Sequence, residues 1–156
     1  MRLRYLYVGS SETARDLMAW LALEGASMPW RFQHFGADVA AVSFAAEGSH
    51  PAILLADHRP PGSILPIYAV DDPEQLSEHL ASSGWEVVAG PLGTPEGPAT
   101  VLRDPSGTEI ALLQVERPSA MEIAYGDPAN QHAVRGGDAR GADAPRPAPN
   151  PHTGTT

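Results

Sequence analysis

The sequence predicts an α+β fold in which two βαβββ modules follow one another along the chain. The order strand, helix, then three strands occurs twice, with turn residues between the elements. Val8 in the first copy corresponds to Val70 in the second, and Gly25 corresponds to Gly84, at offsets of about 60 residues. A weak internal repeat of one βαβββ unit therefore accounts for most of the chain.

The clearest single element is a hairpin near the end of the second copy. Asp104-Pro105-Ser106-Gly107 combines a proline, whose φ is fixed, with a glycine that tolerates positive φ. Residues 99–103 and 109–115 on either side have the length and apolar content of buried strands.

The first module contains one amphipathic helix. Ser10 or Ser11 is a candidate N-cap, apolar residues recur at helical spacing, and Gly25 is expected to end the helix. The predicted strands are 3–8, 29–35, 38–44 and 51–56, with a turn at 47–49 between the last two.

The second module begins after a Pro- and Gly-containing linker, 58–63. Asp72 is expected to cap its helix, with Pro73 at the first helical position, and Gly84 to end it. The predicted strands are 64–70, 85–88, 99–103 and 109–115, and residues 90–98 are predicted to form a rigid loop.

The composition limits the chemistry and the partners. All ten basic residues are Arg, so no lysine can act as a nucleophile, and the absence of Cys excludes thiol catalysis and thiolate metal ligands. The net charge of −9 lies within residues 1–116 and opposes binding to nucleic acid or an anionic membrane. With no signal-peptide pattern at the N-terminus, we expect a soluble cytoplasmic protein.

The repeated module and its closing hairpin resemble the vicinal-oxygen-chelate superfamily, which includes glyoxalases, extradiol dioxygenases and bleomycin-resistance proteins. The resemblance covers a predicted domain of residues 1–116, with modules 2–56 and 64–116. It implies curved sheets around a cleft with the helices outside. Residues 117–135 are then a C-terminal extension with a short helix at Ser119–Tyr125, and 136–156 a disordered tail.

The resemblance also implies where a metal would bind. Metal enzymes of the superfamily take their ligands from inward positions on four strands, the last usually a Glu. Carried over by register, with the first position seven residues before Ser10, these positions are all apolar here: Leu3, Leu55, Leu65 and Ala111. We therefore expect neither a metal nor any other cofactor.

Strand alternation predicts the cleft lining. Residues two apart from the inward positions share their face, which adds two phenols and a carboxylate. The predicted ligand-binding residues are Tyr5, Tyr7, Trp30, His34, Leu55, Leu65, Ile67, Glu109, Ala111 and Leu113. The same aromatic residues are also compatible with a filled core, and Trp30 with Phe32 is a common core pattern.

Three functions remain open. The favoured one is a metal-independent protein of the glyoxalase and bleomycin-resistance type that binds a small molecule, sequestering a drug or metabolite. The resemblance implies a homodimer. The second is a lyase, isomerase or dioxygenase, either with a metal bound by His34, His58 and Glu109 or metal-free, with Glu109 as base and Tyr5 or Tyr7 as acid. The third is a non-catalytic interaction protein.

Overall fold

The computed structural model describes residues 1–44 and 50–135. The predicted turn at 47–49 and the predicted disordered tail at 136–156 lie outside the described residues. The elements are β1 (Arg2–Gly9), α1 (Thr13–Leu21), β2 (Arg31–His34), β3 (Ala37–Val42), β4 (Ala52–Ala56), β5 (Ile64–Val70), α2 (Pro73–Ala81), β6 (Glu86–Thr94), β7 (Gly97–Arg103), β8 (Glu109–Gln114) and α3 (Ala120–Gly126).

The eight strands form one curled sheet in the order β2-β3-β4-β1-β5-β8-β7-β6. β1 and β5 pair antiparallel at its centre, and each pairs in parallel with the last strand of its own module, β4 and β8. The two modules therefore lie side by side and share one concave face. The predicted α+β architecture with two βαβββ modules is confirmed.

The two module helices cover the outer face of the sheet. α1 packs on β3 and β4, and α2 packs on β6, β7 and β8. Beneath α1, Leu17 is fully buried together with Val42 and Leu55. The prediction that Leu55 faces the cleft is wrong, because β4 is displaced by one residue from the predicted register and its inward side chain is Leu54.

A β-bulge at Arg4 changes the face of the residue before it. Leu3 pairs with Tyr68, whereas Tyr5 pairs with Ile67. Directly paired residues share a face, and Ile67 faces the concave side, so Leu3 faces outward with Tyr68. The inward position assigned to Leu3 is therefore wrong. The bulge brings the neighbouring side chains of Arg4 and Tyr5 to the same buried carboxylate.

The region predicted as a rigid loop, 90–98, is mostly strand. β6 continues to Thr94 and β7 begins at Gly97, so only Pro95 and Glu96 form the turn. The tetrapeptide 94–97 has Pro at its second position and Gly at its fourth, a pattern that favours a β-turn. Gly97 has φ +148°, and a Cβ there would overlap the Gln114 carbonyl oxygen.

The two module helices begin with different caps. The Asp72 side chain accepts a hydrogen bond from the Gln75 amide at 2.9 Å, as predicted, whereas α1 has Glu12 as N-cap without a side-chain cap bond. We expect Asp72→Ala to lower the free energy of unfolding by about 1 kcal/mol. The matched change Glu12→Ala is expected to alter it by less than about 0.5 kcal/mol. Urea unfolding of both variants checks this, and equal losses would contradict it.

None of the three helices within residues 1–44 and 50–135 combines the length and the apolar character that crossing a bilayer requires.

Candidate functional site

The concave face encloses a cavity of about 330 Å³. Its floor is formed by side chains of the four central strands, β4, β1, β5 and β8. These residues are Tyr5 and Tyr7 on β1, Leu54 on β4, Ile67 on β5, and Ala111 and Leu113 on β8. Such a mostly apolar lining with a few polar atoms is typical of small-molecule sites.

One side of the cavity is an aromatic wall, which we define as Trp30, Phe32 and Tyr125. The Trp30 and Phe32 rings are 6.1 Å apart at 10°, and Phe32 and Tyr125 are 4.8 Å apart at 22°. These stacked rings form one continuous aromatic surface in the lining of the cavity, and such a surface suits contact with another flat ring.

The C-terminal extension completes this wall. Met121 and Tyr125 on α3 line the cavity, and Ala133 forms a β-bridge with Phe32. The Gln33 amide donates to the His132 carbonyl at 2.9 Å, and the Val134 amide donates to the Arg31 carbonyl at 2.9 Å. Residues 132–134 therefore extend the β2 edge of the sheet and hold α3 over the cavity.

A buried carboxylate, Glu96, lies at the end of the cavity and is only 3% exposed. Arg4 donates to it twice, from Nε to Oε2 at 3.0 Å and from Nη2 to Oε1 at 2.7 Å, and the Tyr5 hydroxyl donates to Oε1 at 2.8 Å. The backbone carbonyl of Glu96 accepts from the amides of Glu116 and Arg117. Glu96 is not among the predicted ligand-binding residues, because residues 90–98 are predicted to form a rigid loop and no strand alternation assigns it a face.

Burial, reinforced by the Glu96 carboxylate, raises the pKa of the Tyr5 phenol. Burial also raises the pKa of Tyr7. Both side chains are therefore neutral at physiological pH and act as hydrogen-bonding groups. The His50 ring packs edge-on against Tyr5 at 5.0 Å, and burial together with the Arg4 charge lowers the pKa of His50.

Tyr7 has different partners from Tyr5. Its hydroxyl is 2.7 Å from Nε2 of His58, and the Arg59 guanidinium lies over its ring at 5.0 Å. The two phenols of β1 thus share the cavity face but bond to groups from different loops.

The structure brings six of the ten predicted ligand-binding residues to the lining of this cavity and leaves four outside it. Leu65 shares the concave face, paired with Tyr7. His34 stacks on Phe35 and His132 outside the cavity lining, and Glu109 pairs with Arg103 at 2.8 Å at the hairpin end of β8. The cavity is lined by Tyr5, Tyr7, Trp30, Ile67, Ala111 and Leu113, but not by Leu55, Leu65, His34 or Glu109.

A second depression, of about 460 Å³, lies on the outer face between α2 and β6. Asp72, Glu74 and Glu78 contribute to its lining, which includes no aromatic side chain. The concave cavity is the better candidate because its lining is more apolar and its aromatic wall has a defined geometry.

The donor set of the concave face does not fit a divalent cation. Because α1 is capped by Glu12, the residue seven before the cap is Tyr5, and the inward residue of β4 is Leu54. The four strand positions therefore carry Tyr5, Leu54, Leu65 and Ala111, a neutral phenol and three alkyl groups. Within the described part of the chain no three His, Asp or Glu side chains cluster, so His34, His58 and Glu109 do not form a joint site.

Solved structures with this architecture include several enzymes. A Streptomyces coelicolor methylmalonyl-CoA epimerase in complex with 2-nitronate-propionyl-CoA is 12% identical and matches at a TM-score of 0.60, covering 75% of this chain and 99% of that one. The methylmalonyl-CoA epimerase from Mycobacterium tuberculosis is 14% identical, with a TM-score of 0.60 and coverage of 74% and 89%. The chain has the vicinal-oxygen-chelate fold.

The likeness extends to a hypothetical protein from Bacillus halodurans, 11% identical, with a TM-score of 0.59 and coverage of 74% and 95%. No protein-family model matches the sequence, and no curated protein matches it. At these identities the shared vicinal-oxygen-chelate fold defines the backbone frame, and the function has to be argued from the cavity.

Proposed function

We propose that this protein binds a small, flat, largely apolar molecule in the concave cavity without using a metal ion. The observation that carries the proposal is that one cavity is lined both by the aromatic wall and by an alkyl floor that includes Ile67, Ala111 and Leu113. A flat ring between these surfaces stacks on one side and buries its other face against alkyl groups.

Binding is favoured over catalysis by the state of the acidic groups. Both oxygens of Glu96 accept from Arg4, and Oε1 also accepts from Tyr5, so the carboxylate is held and its charge is balanced. A general base has to take up a proton, and protonating Glu96 would leave the buried Arg4 guanidinium without its counter-charge. Glu109, the base suggested by sequence, is bonded to Arg103 away from the cavity.

The metal-dependent alternative requires donors in the cleft. A lyase, isomerase or dioxygenase that uses a metal as Lewis acid would need several His or carboxylate ligands converging on one point. The described residues do not bring such a group together. A homodimer and a cytoplasmic location remain predictions.

Fluorescence of a single-tryptophan variant tests the proposal. Trp30 lies in the cavity wall, whereas Trp20 lies on α1, on the outer side of the sheet, with its ring near Phe44. We expect acridine and phenazine to quench Trp30 in the variant Trp20→Phe/Trp85→Phe, with Kd values on the order of 10–100 μM. The matched variant Trp30→Phe/Trp85→Phe, which retains Trp20, is expected to show little quenching.

Metal dependence is tested on the same protein. Binding measured by calorimetry is expected to be unchanged after dialysis against EDTA. Stoichiometric zinc, nickel or iron retained after dialysis, or binding that appears only when such a metal is added, would contradict the proposal.

A further inference from the structure

We infer that the ligand is an uncharged aromatic molecule bearing an O–H or N–H donor, and that Glu96 accepts the hydrogen bond from this donor. Phenols and indoles belong to this class. The inference rests on the proposed function, because it assigns the polar end of a molecule whose rings occupy the aromatic cavity.

Glu96 has acceptor capacity left over. An ionised carboxylate offers about four lone-pair sites. In the described part of the chain, its side-chain oxygens accept three hydrogen bonds, two at Oε1 and one at Oε2. Because the cavity is otherwise almost entirely apolar, a ligand donor placed near this end finds Glu96 as its strongest acceptor.

Glu96 is also fixed in place. The two-point contact with Arg4 sets the plane of the carboxylate, and the Glu96 carbonyl is bonded to the amides of Glu116 and Arg117. Arg4 in turn donates to the carbonyl of Pro118 at 2.9 Å. A carboxylate with this support presents its remaining lone pair without reorganisation, which makes Arg4 a positioning residue.

The charge at the Glu96 end of the cavity disfavours an anionic ligand. Arg4 is paired with Glu96, and none of the residues that line the cavity in the described structure is an Arg; the Arg59 guanidinium lies over the Tyr7 ring and belongs to a different loop. The Glu122 carboxylate acts on Tyr5 from α3 and adds negative potential. An anion would therefore lose its hydration without gaining a counter-charge. A cation is not needed, since the Glu96 charge is already compensated.

Tyr5 competes with the ligand for the same carboxylate. Its hydroxyl occupies Oε1, which also accepts from Arg4. Removing this hydroxyl frees one lone pair at the cavity surface and leaves the ion pair intact. The inference therefore predicts that Tyr5→Phe increases the preference for donor-bearing ligands, whereas a role for Tyr5 in packing alone predicts no change in that preference.

Calorimetry with 2-naphthol and 2-methoxynaphthalene tests the inference, since the two share their rings and differ in the donor. We expect the full chain to bind 2-naphthol roughly tenfold more tightly. The ratio of the affinity for 2-naphthol to the affinity for 2-methoxynaphthalene is expected to rise in Tyr5→Phe and to fall in Glu96→Gln. Tyr7→Phe is the matched control: its hydroxyl bonds to His58, so it should change both affinities by the same factor and leave the ratio as it is.

The outcomes separate this inference from the proposed function. If neither probe binds, the proposed function fails. If both bind with equal affinity, or if the anion 2-naphthoate binds as well as 2-naphthol, the rings occupy the cavity but Glu96 does not select the donor, and the inference is overturned. Circular dichroism establishes whether each variant is folded. If Glu96→Gln does not fold, the inference is decided by the affinity ratio of the two probes measured for Tyr5→Phe.

Discussion

Replacing Arg4 with Met is expected to lower the free energy of unfolding by about 3–5 kcal/mol. The side chains of Arg4 and Glu96 are 5% and 4% exposed, and the closest distance between them is 2.7 Å. Without the guanidinium, the Glu96 carboxylate keeps only the Tyr5 hydroxyl as a side-chain donor while remaining buried. Urea unfolding at neutral pH measures the loss.

The other half of the ion pair provides a stringent comparison. Glu96→Leu should lower the free energy of unfolding by a similar amount, because it leaves the buried Arg4 guanidinium with only the Pro118 carbonyl as acceptor. The double variant Arg4→Met/Glu96→Leu should regain much of the lost free energy. Arg15→Met is the control, because Arg15 is 59% exposed and its removal should change stability by less than about 0.5 kcal/mol. Additive losses in the double variant would contradict this account.

Truncating Tyr125 to Ala is expected to weaken the binding of flat aromatic probes tenfold or more, about 1.5–3 kcal/mol. Tyr125 supplies the outer ring of the aromatic wall, 4.8 Å from Phe32, and it lies on α3 rather than in the sheet. Its loss should therefore remove a stacking surface and leave the folded sheet intact. Calorimetry with 2-naphthol measures the affinity.

Ile123 lies on the same helix and is 72% exposed, so Ile123→Ala is the matched control and should bind the probe as the parent protein does. If the Tyr125→Ala and Ile123→Ala variants bind 2-naphthol with equal affinity, Tyr125 does not contribute to binding and α3 only covers the sheet.

The location of the polar group in the cavity is the main feature that sequence reasoning did not provide. The alternation of strands correctly predicts that Tyr5, Tyr7, Ile67, Ala111 and Leu113 share one face. It says nothing about Glu96, which lies in a turn 92 residues away from its partner Arg4. Only the curling of the sheet brings that turn back to the first strand.

Register explains the two errors in face assignment. Ideal alternation places Leu3 and Leu55 inward, but the bulge at Arg4 reverses the face of Leu3, and the pairing of Tyr7 with Leu54 makes Leu54 the inward residue of β4. A shift of one residue reverses the face of every side chain that follows. Apolar residues such as these are compatible with either face, so composition does not reveal the shift.

The sequence by itself determined the repeated βαβββ order, the hairpin at Asp104–Gly107, the cap at Asp72 and the apolar character of the cleft. These features depend on local periodicity and on the conformational limits of Pro and Gly, which act over a few residues. The tertiary structure alone decided that Glu96 is paired with Arg4 in the cavity and that Tyr125 completes its wall. Those contacts join residues far apart in the chain, and they form only when the sheet curls and the extension pairs with its edge.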